Sequence, residues 1–370
     1  MSSVPCQKDA QVLVVGAGVF GLTLALELKR RGYKYVTVLD RYLPPVPDGS
    51  SVDISRVVRP DYADQFYADM AVDAIKGWET EFSAYFHRSG LLSLSETQKH
   101  PYIQQACESL RNLGLSVSEC SGQVARERFP MIHGDISHMV GYNNTGCGWA
   151  DAEQSILYLA RQCSEAGVSF LSGRHGTVTS LLTSGKRVAG VRTRAGASIL
   201  GDVTIIATGA WTPHLLNMSR SSVSTGQPVG FLQLTAEEAE EMRDCPIIIN
   251  LSTGWFCFPP TPGTNILKMA RHGYGYETTI TQASNTSPTI QTDSSSAPSL
   301  NHNNAASGFI PSDAEQALRH GLGQFFPRFR DRDFLRRRLC WYTDTPKGDF
   351  IVDYHPEYEN LFMACGGSGQ

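Results

Sequence analysis

Between Val15 and Leu22 the chain reads Gly16-Ala17-Gly18-Val19-Phe20-Gly21, a glycine spacing that lets a diphosphate approach bare backbone. At a helix N-terminus such a turn offers amide donors and the positive end of the helix dipole to an anion. Gly16 permits the tight turn, Gly18 the close approach of the ligand, and Gly21 the packing of helix on strand. Asp40 follows about 20 residues further on, where an acid can accept hydrogen bonds from an adenosine ribose. Elsewhere, Arg56 and Arg59 lie in a loop-like stretch, and a guanidinium forks onto a carboxylate with two parallel bonds. Lys268 lies in a β region and Cys340 follows Arg336-Arg337-Arg338. By residue type alone, Lys268 reads as an ordinary strand lysine and Cys340 as a buried thiol, while the arginine pair reads equally as solvated loop or as a functional pair.

The glycine turn alone is common in unrelated chains, so the elements around it decide its meaning. Gln11–Val15 is a short apolar run fit for a strand buried on both faces. After the turn comes a helical pattern, LTLALELKRR, stopping at Gly32, and then the strand YVTVLD closing on Asp40. Strand, glycine turn, helix, strand and acid together make a dinucleotide site. Further along, helices are expected from about Tyr67 to Tyr85, around Gln104 to Leu113, over AEQSILYLARQCSEAG with Asp151 at its cap, and after Pro311. A β meander is expected from VSFLSG to KRVAGVRTRAG, then an apolar strand VTIIATGAW, then antiparallel strands over residues 226–275. Residues 281–308 are nearly free of large apolar groups and read as a disordered surface insertion.

With 370 residues, 41% hydrophobic and 18% charged, the chain suits two or three domains and excludes a mostly disordered chain. A net charge of −4 argues against a nucleic-acid surface, and no apolar run of about 18 residues offers a membrane span. Nine cysteines are scattered singly, without the close pairs of zinc or dithiol sites. No metal site is expected. The polar opening MSSVPCQKDA carries no secretory signal, so a reducing intracellular compartment is expected.

The strand ending Ala207-Thr208-Gly209-Ala210-Trp211 resembles the second dinucleotide signature of FAD-binding oxidoreductases of the glutathione-reductase-like group. FAD is thereby favoured over NAD. Four more segments are similar to the monomeric sarcosine oxidase family, which includes fructosyl amino acid oxidases (amadoriases), saccharopine oxidases and pipecolate oxidases. They are Gly49-Ser50-Ser51 with Ser55-Arg56-Val57-Val58-Arg59; Gly148-Trp149-Ala150-Asp151-Ala152; Leu267-Lys268-Met269; and Leu339-Cys340-Trp341-Tyr342-Thr343-Asp344-Thr345-Pro346 with Phe350 to Pro356. The resemblance implies an α/β, two-domain fold: a glutathione-reductase-like Rossmann domain for FAD over 8–85, 147–215 and 335–370, and an antiparallel-sheet substrate domain over 86–146 and 216–334. It implies oxidation of a secondary-amine amino acid to an imine, with O2 reduced to hydrogen peroxide.

Residue by residue, the resemblance matches Cys340 to a cysteine joined to the flavin through a thioether, which the three preceding arginines would assist as a thiolate if they approach it. It matches Lys268 to a lysine placed over the flavin for reaction with oxygen, Arg59 to an arginine pairing the substrate carboxylate, and Arg56 to an arginine near the flavin. Cofactor contacts are further implied at Gly16, Gly18, Val19, Phe20, Gly21, Asp40, Arg41, Ser50, Ser51, Val178, Thr208, Gly209, Trp211 and Gly367. The reading Ser51-Val52-Asp53, where relatives vary between His and Lys, leaves the amine itself open. His87, His100, His133, His138 and His214 read as packing or surface residues, and Trp255, Phe256 and Phe258 as core. The family pattern continues past its GGSG with a helix, whereas this sequence stops at Gln370. That leaves as alternatives an oxidase that tailors amino acids in secondary metabolism and a shortened, inactive member. A monomer is expected, in the cytoplasm, or in the peroxisome if the natural C-terminus is longer.

Overall fold

A computed structural model describes residues 7–218, 221–281, 294–301 and 303–367. One sheet runs in the order Ile351–Tyr354, Leu361–Cys365, Val203–Ile206, Gln11–Val15, Tyr35–Leu39, Ser169–Leu171. Its strands are parallel except Ile351–Tyr354, which pairs antiparallel at the edge. Gln11–Val15 is central because its apolar residues have a layer to meet on each side. Val12 and Val14 pack with the helices Val19–Arg30 and Ala152–Glu165, while Leu13 and Val15 pack with the three-stranded meander that begins at Val178. Asp151 caps the second helix by accepting from the Gln154 amide at 3.0 Å.

The second sheet has eight strands, in the order Arg336–Asp344, Val223–Gln233, Ile266–Arg271, Trp255–Cys257, Ile247–Asn250, Leu91–Ser95, Val140–Asn144, Ser118–Ser121. Its outer face holds Leu232, Leu267 and Met269 against Leu318, Leu322 and Phe325 of the helix Ser312–Phe325. Its inner face looks toward the first sheet. A small sheet of Arg56–Val58, Gly148–Ala150 and Phe86–His87 joins the two halves and carries the arginine loop.

Several expectations are corrected. Ser169–Leu171 is no part of the meander: it follows a helix packed on the sheet, and that crossover returns it parallel to Tyr35–Leu39. Within 226–275 the strands pair antiparallel as expected, and Ile247–Asn250 also pairs parallel with Leu91–Ser95 from outside that region. The helix expected to reach Tyr85 runs Gln65–Glu79, started by the Asp64 cap, and a separate short turn covers Ser83–Tyr85. Arg336–Asp344 forms a continuous ladder with Val223–Gln233 in the large sheet. Part of the insertion is ordered: Ser294–Ser296 pairs with Thr279–Thr281, and Ser299 and Asn304 hydrogen-bond to Trp211 and Asp48. The expectation for 282–293 and 302 lies outside the described residues.

Trp255 stacks on Phe325 at 5.3 Å between ring centres, and a Cβ added at Gly321 would lie 2.2 Å from the indole. Gly321→Ala gains helix propensity but overpacks this contact; the net loss should be about 2 kcal/mol in urea unfolding.

Candidate functional site

The glycine turn is built as close packing demands. Gly16 has φ +115, and a Cβ there would sit 2.3 Å from the Ala207 carbonyl, so the second signature abuts the first. At Gly18 a Cβ would lie 3.1 Å from Ser51 Oγ, which accepts from the Val19 amide at 2.9 Å. At Gly21 a Cβ would lie 1.9 Å from the Gly16 carbonyl oxygen, so its part is to seat the helix on the turn, and it does not line the cavity. Asp40 accepts from the amides of Ala17 at 2.7 Å and Arg41 at 2.6 Å. Enclosure in protein raises its carboxyl above the ordinary value despite these bonds. Arg41 pairs with Asp48 at 2.8 Å and lies over the Trp211 ring at 4.6 Å.

From this turn a cavity of about 1460 Å³ runs between the sheets. Gly16, Gly18, Val19, Phe20, Asp40 and Arg41 line one end, and Val178, Thr208, Gly209 and Trp211 close over it. Ser50, Ser51, Arg56 and Gly367 line the middle, and Arg59 the far end. Lys268 and Cys340 lie outside its wall, buried beside Arg56.

The pleat of the large sheet explains that grouping. Registers across it place Lys268, Phe231 and Arg336 in one row, Phe256, Ala270, Val229 and Arg338 in the next, and Gln227 and Cys340 beyond, all on the inner face. Tyr342 continues the line. Arg338, Cys340 and Tyr342 therefore share a face because they are two residues apart. Above them the arginine loop folds back. Lys268 Nζ lies 2.9 Å from Asp53 Oδ2 and donates to the Ser55 carbonyl at 2.5 Å. Arg56 donates to Asp53 at 2.9 Å, to the Ser50 carbonyl at 2.6 Å and to Cys340 Sγ at 3.4 Å. Arg338 donates to the same Asp53 oxygen at 2.9 Å.

The cation at the Cys340 thiol is thus Arg56, and the expectation of help from the preceding arginines is corrected. Arg336 lies over the Phe231 ring, Arg337 pairs with Glu315, and Arg338 turns to Asp53. Burial alone would lift the Asp53 carboxyl, but Lys268, Arg338 and Arg56 outweigh it and hold it far below the usual range. Burial lowers Lys268 to about 7 even with Asp53 opposing.

At the far end, Arg59 Nη1 donates to the Asp61 carbonyl and to Tyr102 Oη at 2.8 Å, and its guanidinium lies 4.5 Å over the Tyr62 ring. The Asp61 carboxylate faces away from the cavity, accepting from Asn144 at 2.8 Å and Cys147 at 2.7 Å. Tyr142, Ser93, Ile249 and Phe256 make the floor there, again one row of the sheet. Phe256 and Phe258 line the cavity, while Trp255 points into the core.

Sequence reasoning missed Asp53 as a partner of Lys268, and missed His272 and Tyr342 altogether. His272 has only a weak signal: it lies just past the end of the strand Ile266–Arg271 that carries Lys268, where strand alternation no longer fixes its face. It is open to the cavity and 5.3 Å from Tyr342, and its surroundings hold its imidazole below the ordinary value. His214, read as packing, lies on the cavity wall, with its Nε2 at 2.8 Å from the Pro298 carbonyl. Among the described residues, no group of acids, histidines and cysteines is placed to hold a metal ion. No helix there is long and apolar enough to cross a membrane.

Comparison with known proteins gives three kinds of likeness. The family model described as FAD dependent oxidoreductase matches residues 11–370. L-saccharopine oxidase of Schizosaccharomyces pombe is 29% identical, over 97% of this chain and 85% of that protein. An amino acid oxidase of Aspergillus fumigatus is 30% identical, over 96% of this chain and 88% of its own length. The crystal structure of the deglycating fructosamine oxidase Amadoriase II from Aspergillus fumigatus superposes with a TM-score of 0.83 at 29% identity, covering 98% of this chain and 82% of that one.

Because Gly16 has both a positive φ and no room for a methyl group, Gly16→Ala should yield protein with less than about a tenth of the wild-type flavin absorbance and a lower melting temperature.

Proposed function

The chain belongs to the FAD-dependent oxidoreductase family, and on that premise we propose that it oxidises the C–N bond of a secondary-amine amino acid, with O2 as electron acceptor and hydrogen peroxide as product. The observation that carries the reading is one continuous cavity with a glycine-lined nucleotide cradle at one end and Arg59 at the other. FAD fits these residues: Gly16 and Gly18 present bare backbone on the cavity wall at a helix N-terminus, with Asp40 beside them. When bound, FAD supplies a two-electron acceptor for the hydride of the carbon next to nitrogen and passes the electrons to oxygen.

The chain's own residues orient and charge the site. Both Arg59 bonds use Nη1, which leaves Nε and Nη2 as a fork for the substrate carboxylate. Tyr102 and the Asp61 carbonyl hold that fork still. His272, neutral at pH 7 by its lowered pKa, stands on the same cavity to take a proton from the substrate nitrogen. Lys268 and Arg56 place positive charge where an anion develops on oxygen. Cys340, with Arg56 at its sulfur, is the residue for a thioether to the flavin.

The floor of Tyr142, Ser93, Ile249 and Phe256 mixes apolar surface with two hydroxyls, which suits a substrate with both an apolar and a hydrogen-bonding part. The protein acts as a monomer in a reducing compartment, in keeping with eight unpaired cysteines among the described residues.

Anaerobic addition of an N-methyl amino acid should bleach the visible flavin band, and air should restore it with release of peroxide. A flavin band indifferent to every secondary amine in a panel of N-methyl, glycated and dicarboxylic amino acids overturns the reading. Arg59→Met should raise KM about 10–100-fold, as loss of a charged hydrogen-bond pair does, with a smaller change in kcat.

A further inference from the structure

Asp53 carries an unusual load. Its Oδ2 alone receives Lys268 Nζ, Arg56 Nη1 and Arg338 Nη2, each at 2.9 Å, while Oδ1 accepts from the Ile54 amide at 2.8 Å. The Asp53 and Lys268 side chains are 1% and 2% exposed, so water screens little of this. With all three bases charged, one buried anion faces three cations, of which only Arg56 reaches the cavity.

The two guanidinium groups cannot relieve that excess, since arginine keeps its proton in proteins. Lysine can. The other groups facing it add no opposing charge: Phe258 presents its ring at 4.6 Å, Phe231 is its partner across the strand, and Tyr342 stays neutral because burial raises its hydroxyl. Just past the end of that strand, burial lowers the His272 imidazole below its ordinary value, and Glu153, whose amide donates to the Asp53 carbonyl, has an exposed side chain. Cys340 meets the cluster through Arg56.

We propose that Asp53 is a positioning residue for the oxygen half-reaction: it alone keeps Lys268 charged and tied to the Ser55 carbonyl. The proposal rests on the reading of Lys268 given above. A neutral lysine in that place offers oxygen a dipole where a charge is needed, so the oxygen step slows as pH rises through the lysine's titration. Burial, Arg56 and Arg338 all push Lys268 toward the neutral form, and Asp53 opposes them. Without the carboxylate the same loss of charge must set in at lower pH.

Two measurements on the FAD-loaded enzyme test this. Lysine labelled with 13C at Cε, with the Lys268 signal assigned by its absence in Lys268→Met, reports protonation directly. Wild type should titrate near 7, and Asp53→Asn about one unit lower, a tenfold change in acid dissociation. Stopped-flow reoxidation of the amine-reduced enzyme by O2 should then be about tenfold slower in Asp53→Asn than in wild type at about pH 8, and within about twofold at about pH 6. Asp53→Glu should restore the wild-type profile. If Asp53→Asn fails to hold FAD, Arg338→Met carries the test with opposite sign, because removing a cation must move the Lys268 titration up.

An unmoved Lys268 titration in these variants overturns the proposal, even if Lys268→Met reoxidises slowly. If instead Lys268→Met reoxidises as fast as wild type, the oxygen role of Lys268 itself falls, and Asp53 governs only the charge of a structural lysine.

Discussion

A single buried carboxylate oxygen ties the two halves of this protein together at the place where its chemistry would occur. Asp53 comes from the loop that follows the nucleotide cradle; Lys268 and Arg338 come from two strands of the large sheet, and Arg56 from the small sheet between. Removing such an anion leaves buried cations unpaired, which is costly by several kcal/mol in general. The loop is therefore pinned against the large sheet by charge. Ser50, Ser51 and Arg56 in turn line the middle of the cavity because the loop is held there.

The rest of the site follows from two periodicities. In the first half, a strand buried on both faces ends at a turn whose glycines are required by contact with the Ala207 carbonyl and Ser51. In the second, the two-residue pleat sends Leu267 and Met269 into the hydrophobic core and Lys268 and Ala270 to the inner face. Charge is concentrated on the strands near Cys340, and the floor lies on the strands beneath Arg59. One sheet thus presents a charged region and the floor of the cavity side by side.

How much of this was legible in the chain depended on how local the cause was. The strand at Gln11–Val15, the glycine turn and Asp40 are consecutive in sequence and were readable from spacing. Cys340 and Lys268 stood out through resemblance, since a lone lysine or cysteine in a strand says little. Three adjacent arginines look alike in sequence; the pleat and distant partners send them to Phe231, Glu315 and Asp53. Asp53 itself looked like a loop residue because its three partners are set by cross-strand register. The parallel pairing of Ile247–Asn250 with Leu91–Ser95 has no local signal either. Residues 294–308 read as disordered by composition, but short polar segments can be held by hydrogen bonds such as Trp211 to the Ser299 carbonyl.

The most direct test of the arrangement as a whole is where the flavin sits. Proteolysis of the unfolded, FAD-loaded protein followed by mass spectrometry locates any flavin-bearing peptide. The account predicts a thioether-linked flavin on the peptide containing Cys340. A flavin on another peptide, or a folded yellow protein whose Cys340 peptide is unmodified, would contradict it.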